Sequence, residues 1–93
     1  MITHLSIHYP RPEYREALLE SMRRVDAAAE TQPGLVRIHA WVELGGDRMF
    51  GIAQWESMEA FEAAAPTVFA VVRDDPFDVW EYQRPEVMLL EEG

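Results

Sequence analysis

Ninety-three residues are expected to form one domain, residues 1–93, and a core of that size buries only roughly 60–65% of the surface its unfolded chain exposes. Eight basic residues, all Arg, against seventeen acidic ones leave a net charge of −9, a field that repels nucleic acid and anionic membrane surfaces. A composition 48% hydrophobic and 27% charged excludes disorder, and the absence of Cys excludes disulfides, thiolate metal sites and a cysteine nucleophile.

The chain starts Met-Ile-Thr-His-Leu, without the basic start and apolar run of a signal peptide, so a cytoplasmic protein is expected. Ile2–Tyr9 is rich in β-branched and aromatic residues and stops at Pro10, which predicts a first strand. Alternation puts Leu5, Ile7 and Tyr9 on one face and His4, Ser6 and His8 on the other. Pro12 suits a first helical turn, and Glu13 and Glu16 complement the positive end of the helix dipole. Tyr14, Leu18, Met22, Val25 and Ala29 then form one apolar stripe, closed by Pro33-Gly34.

Leu35–Leu44 and Arg48–Glu56 flank Gly45-Gly46-Asp47 and predict a β-hairpin. In its first strand, Val36, Ile38, Ala40, Val42 and Leu44 should share an apolar face, with Leu35, Arg37, His39, Trp41 and Glu43 opposite. Ser57 is a helix N-cap, with Glu59 in the first turn and Phe61 facing inward. Pro66 should break this helix, which resumes over Thr67–Asp74; Asp75-Pro76 opens a short turn through Trp80. Ala63–Val72, the longest uncharged apolar stretch, is too short to cross a bilayer. Pro85 precedes a last strand, Glu86–Glu91.

The order is β-α-β-β-α-β, an α+β ferredoxin-like pattern: an antiparallel sheet with helices on one face and the first strand beside the third. The other sheet face would show Val, Ile and aromatic side chains to water. That patch predicts a homodimer in which two sheets pack face to face and close an α/β barrel.

The run Pro33-Gly34-Leu35, a strand, a Gly hairpin, a strand ending Trp55-Glu56-Ser57, then Glu59-Ala60-Phe61, resembles the antibiotic biosynthesis monooxygenase family of small dimeric α/β-barrel proteins. The element order matches over essentially the whole chain, and the sequence-specific part lies within Pro33–Ala64. Some members of that family are cofactor-free oxygenases that turn polycyclic phenols into quinones between sheet and helices; others cleave haem. The resemblance makes Trp55 the Trp that lines the pocket and sets Phe61 where quinone-forming members carry a pocket Tyr. It puts Arg73 in the region of their pocket Arg, while the Asn they use has no counterpart in a chain without Asn. The haem-cleaving arrangement needs a His on the helix after the third strand, and no His occurs beyond His39.

Cofactor-free oxygenation requires a base, a donor or cation for developing charge, and an apolar enclosure, with the electrons coming from the substrate. His8 is the candidate base and Arg73 the candidate charge-stabilising donor; Trp55, Phe61, Phe69 and Trp80 are the candidate substrate-binding wall. Each has a plainer alternative. His8 could be a strand-end His satisfied by solvent or a carboxylate, and Arg73 could pair on the surface with Asp74 or Asp75. Trp55, Phe61 and Phe69 could be core, while Trp80 and Tyr82 could cover a pocket mouth or seal a dimer. His4-x-x-x-His8 on a strand separates the side chains by roughly 13 Å, so no metal site is expected. Nucleophile-elbow, phosphate-loop, zinc and dinucleotide motifs are all absent. The expectation is a cofactor-independent monooxygenase, with no bound cofactor, acting on an aromatic or polyketide-type small molecule. The alternative is a non-catalytic small-ligand-binding or dimerisation module, which the missing Asn and the Phe in place of Tyr favour.

Overall fold

A computed structural model describes residues 1–93. Its elements are β1 (Ile2–His8), α1 (Arg15–Ala29), β2 (Leu35–Val42), β3 (Met49–Trp55), α2 (Met58–Ala70), α3 (Phe77–Trp80) and β4 (Glu86–Glu91). The strands form one sheet in the order β2-β3-β1-β4, and every neighbouring pair is antiparallel. This is the ferredoxin-like arrangement expected from the element order.

The register fixes which side chains share a face. His4 lies opposite Ala53, Ser6 opposite Gly51 and His8 opposite Met49, while Leu5 and Ile7 lie opposite Ile52 and Phe50. Ala53 and Met49 are buried in the two core clusters, so the His4-Ser6-His8 face of β1 is the one that packs toward the helices. One cluster gathers Ala29, Ile38, Ala53, Trp55, Ala64 and Val68; the other joins Leu18, Met22 and Met49.

Three local expectations are corrected. β2 ends at Val42, and Leu44 lies beyond it at 96% exposure. Within β2 the register shifts between Leu35 and Arg37, so Leu35 pairs with Trp55 and packs on the same core as Ile38. The irregularity takes up Val36, which is half-exposed, and strict alternation fails there because a bulge adds a residue on one strand. Pro66, finally, does not break α2. Pro66 and Glu62 are both exposed, so the Glu62 carbonyl that loses its helical donor can be satisfied by water.

The chain between α1 and β2 passes close to α2 at Gly34, whose φ of +87° a side chain would disfavour; a Cβ there would stand 2.5 Å from the Ala60 Cβ on α2. The Ser57 hydroxyl accepts the Ala60 N–H at 3.1 Å and caps α2 as its sequence position suggests. No helix is long and apolar enough to cross a membrane.

Candidate active site

Between the helix-facing side of the sheet and the helices lies a cavity of about 380 Å³, within the size range of small-molecule sites. Its walls are mostly apolar: Met22 and Val25 from α1, Trp55 from β3, and Phe61, Val68 and Phe69 from α2. Trp55 is only 2% exposed and meets Phe61 edge-on, with ring centroids 6.2 Å apart. Phe69 and Val87 line the cavity yet are substantially exposed, which marks their side as its mouth.

The polar groups in this wall are few. β1 supplies His4, Ser6 and His8, and α1 supplies Ser21 and Asp26. His8 is tied on both ring nitrogens: Nδ1 lies 3.0 Å from Glu81 Oε2 and Nε2 lies 3.2 Å from Ser6 Oγ. Glu81 is 3% exposed, and its other oxygen accepts the Tyr9 N–H at 2.8 Å. A bridge between Pro10 and Glu81, together with the Tyr82 N–H donated to the Tyr9 carbonyl at 3.0 Å, holds the segment after α3 against the end of β1. Ser6 Oγ fits because residue 51 is Gly: a Cβ at that position would stand 2.6 Å from it.

His4 stacks on Phe61 with centroids 5.3 Å apart and lies 5.6 Å from the Phe69 ring. Burial, then the neighbouring His8, hold its pKa below the usual histidine value, so His4 is neutral near pH 7. Burial pushes the Asp26 carboxyl up. The fully buried Ser21 hydroxyl donates to Asp75 Oδ2 at 2.7 Å, and Arg24 Nη2 donates to the same oxygen at 2.7 Å. Arg24 Nη1 also donates to the Val71 carbonyl, so these bonds tie α1 to the chain after α2.

Of the six residues singled out in the sequence, the fold brings His8, Trp55, Phe61 and Phe69 to one cavity. Arg73 is not among the cavity residues: it is exposed in the turn after α2. Its plainer reading is not seen either: no ion pair joins Arg73 to Asp74 or Asp75, and Asp75 is paired with Arg24. Trp80 is also outside the cavity. It packs against the Leu18-Met22-Met49 cluster and meets Phe77 edge-on at 5.6 Å, because α3 turns it toward α1 and β3. Tyr82 sits on the surface, donating to Asp47.

Sequence reasoning missed Glu81, whose partner His8 is 73 residues away and so leaves no spacing signal. It also missed Ser21 and Asp26. A polar residue at position 21, between Leu18 and Met22 on the apolar stripe, was the one available sign.

The family model described as "Antibiotic biosynthesis monooxygenase" matches residues 1–67. Among solved structures, a protein described as antibiotic biosynthesis monooxygenase is 17% identical and superposes with a TM-score of 0.83, covering 100% of this chain and 99% of its own. Rv0793 from Mycobacterium tuberculosis is 14% identical with a TM-score of 0.84, covering 98% of this chain and 93% of its own length.

PA3566 from Pseudomonas aeruginosa is 17% identical with a TM-score of 0.82, covering 98% of this chain and 92% of its own length. At these identities the superpositions establish the fold alone. No curated protein matches the chain.

Proposed function

The chain belongs to the antibiotic biosynthesis monooxygenase family, and we propose that it is a cofactor-independent monooxygenase acting on a neutral aromatic or polyketide-type small molecule that carries a hydroxyl group. The observation that carries this reading is His8, set in the wall of an apolar cavity with a polar partner on each ring nitrogen. A substrate hydroxyl that replaces Ser6 at Nε2 gives its proton to the ring. The resulting imidazolium faces the buried Glu81 carboxylate, so the ion pair forms without moving either group. The electron-rich phenolate then supplies the electrons to molecular oxygen; one oxygen atom enters the product as a carbonyl and the other leaves as water.

Trp55, Phe61 and Phe69 supply flat apolar surface for the substrate ring, with neutral His4 stacked behind Phe61. The cavity contains no Arg, so the positive partner of the phenolate is the His8 imidazolium itself. The same reading includes a homodimer. Leu5, Ile7, Trp41, Phe50, Met88 and Leu90 share the sheet face away from the helices, and Trp41, Met88 and Leu90 are exposed. A second copy would cover them.

The test is oxygen uptake with a panel of polycyclic phenols, without added flavin, haem or metal. Wild-type protein should consume oxygen and release quinone, and His8→Ala should lose about 10²–10⁴-fold in rate while remaining the same oligomer. Undiminished turnover in His8→Ala would remove the base role. Ligand binding without oxygen consumption across the panel would favour a non-catalytic binding module.

A further inference from the structure

Glu81 belongs to no helix or strand, yet it is the most buried charged residue of the chain at 3% exposure. Its side chain meets no Arg; its neighbours are the Tyr9 N–H on Oε1 and His8 Nδ1 on Oε2. An ionised carboxylate can only accept hydrogen bonds, so the ring nitrogen facing it must carry a proton. In the neutral ring the other nitrogen, Nε2, then holds a lone pair, and Ser6 Oγ at 3.2 Å is placed to donate to it.

We infer that Glu81 is a positioning residue that locks His8 in the Nδ1–H tautomer and thereby keeps Nε2 available as a proton acceptor beside Ser6 in the cavity. The catalytic value of this lock rests on the oxygenase reading; the lock itself does not. The Tyr9 N–H makes it specific. A Gln at position 81 would have one acceptor oxygen, and the buried Tyr9 N–H requires it. The amide NH₂ would then face Nδ1, which must accept, so the ring would switch to the Nε2–H tautomer and lose its base. An Asp would keep the carboxylate and, if it reaches, the tautomer.

The tautomer is read directly by ¹⁵N NMR of histidine-labelled full-length protein at a pH where His8 is neutral. Wild type should show His8 protonated on Nδ1 and bare on Nε2, and Glu81→Gln should show the reverse. With a phenol that the wild type oxidises, Glu81→Gln should lose about 10²–10⁴-fold in kcat with KM little changed, and Glu81→Asp should recover part of the loss. A wild-type His8 protonated on Nε2 overturns the inference without any variant, which covers the case of a Glu81→Gln protein that does not fold. A folded Glu81→Gln protein that keeps the Nδ1–H tautomer overturns it as well. If the tautomers are as stated and no phenol is oxidised, the oxygenase reading fails while the lock stands.

Discussion

Gly51→Ala tests whether the cavity wall is built as described. The added Cβ would stand 2.6 Å from Ser6 Oγ, with Met22 Cε at 3.6 Å and Ser6 Cβ at 3.9 Å. Only the first contact is prohibitive, so Ser6 must turn its hydroxyl away from His8 Nε2 or the strands must separate. Overpacking of this kind costs about 1–3 kcal/mol. For a domain of this length that is a fall in Tm of roughly 4–24 °C. Removing the hydroxyl removes the obstacle: in a Ser6→Ala background the remaining neighbours are at ordinary contact distance, and replacing a strand Gly by Ala stabilises by about 0.5–1 kcal/mol. Urea unfolding of the wild type, the two single variants and the double variant, at one protein concentration, measures the coupling. We expect at least about 1 kcal/mol, with Ser6→Ala relieving Gly51→Ala. An equal cost of Gly51→Ala in both backgrounds would refute the Ser6-Gly51 packing.

His4 has a folded pKa below its unfolded value, so it contributes stability above about pH 6.5 that is lost as the pH falls through the folded pKa. His4→Phe should flatten that part of the pH–stability curve in urea unfolding, and an unchanged slope would contradict the burial assigned to His4. Ser57→Ala removes the α2 cap and should cost about 1 kcal/mol in thermal unfolding; no loss would mean the cap bond is not formed in solution. Arg73→Ala should leave both stability and ligand affinity within about twofold, because the side chain is exposed and outside the cavity. A tenfold loss of affinity would return Arg73 to the site.

The fold was largely legible because its signals are local. Pro10, Pro33-Gly34, the Gly45-Gly46 hairpin, Ser57 and Pro85 punctuate the chain near the observed element ends. The exceptions have tertiary causes: Val36 is displaced by a bulge that depends on β3, and Pro66 is tolerated because its side of α2 faces water. The site was legible where alternation applies. Period two placed His4, Ser6 and His8 together on β1, and the family resemblance brought in Trp55 and Phe61. Glu81 was not legible, because only the pairing of the segment after α3 with the end of β1 brings it to His8. Arg73 and Arg24 were confused for the same reason: adjacency in sequence favoured Arg73 as the partner of Asp75, whereas the fold lays α1 beside that turn.

The central claim is that the cavity beside His8 receives a hydroxylated aromatic ring for oxidation. It is tested most directly by a crystal structure of the protein with a polycyclic phenol that it oxidises, taken without oxygen. The account predicts the ring against Trp55, Phe61 and Phe69, with its hydroxyl oxygen about 2.6–3.2 Å from His8 Nε2 and Ser6 displaced from that nitrogen. A ring bound on the outer sheet face, or in the cavity with its hydroxyl away from His8, would contradict it.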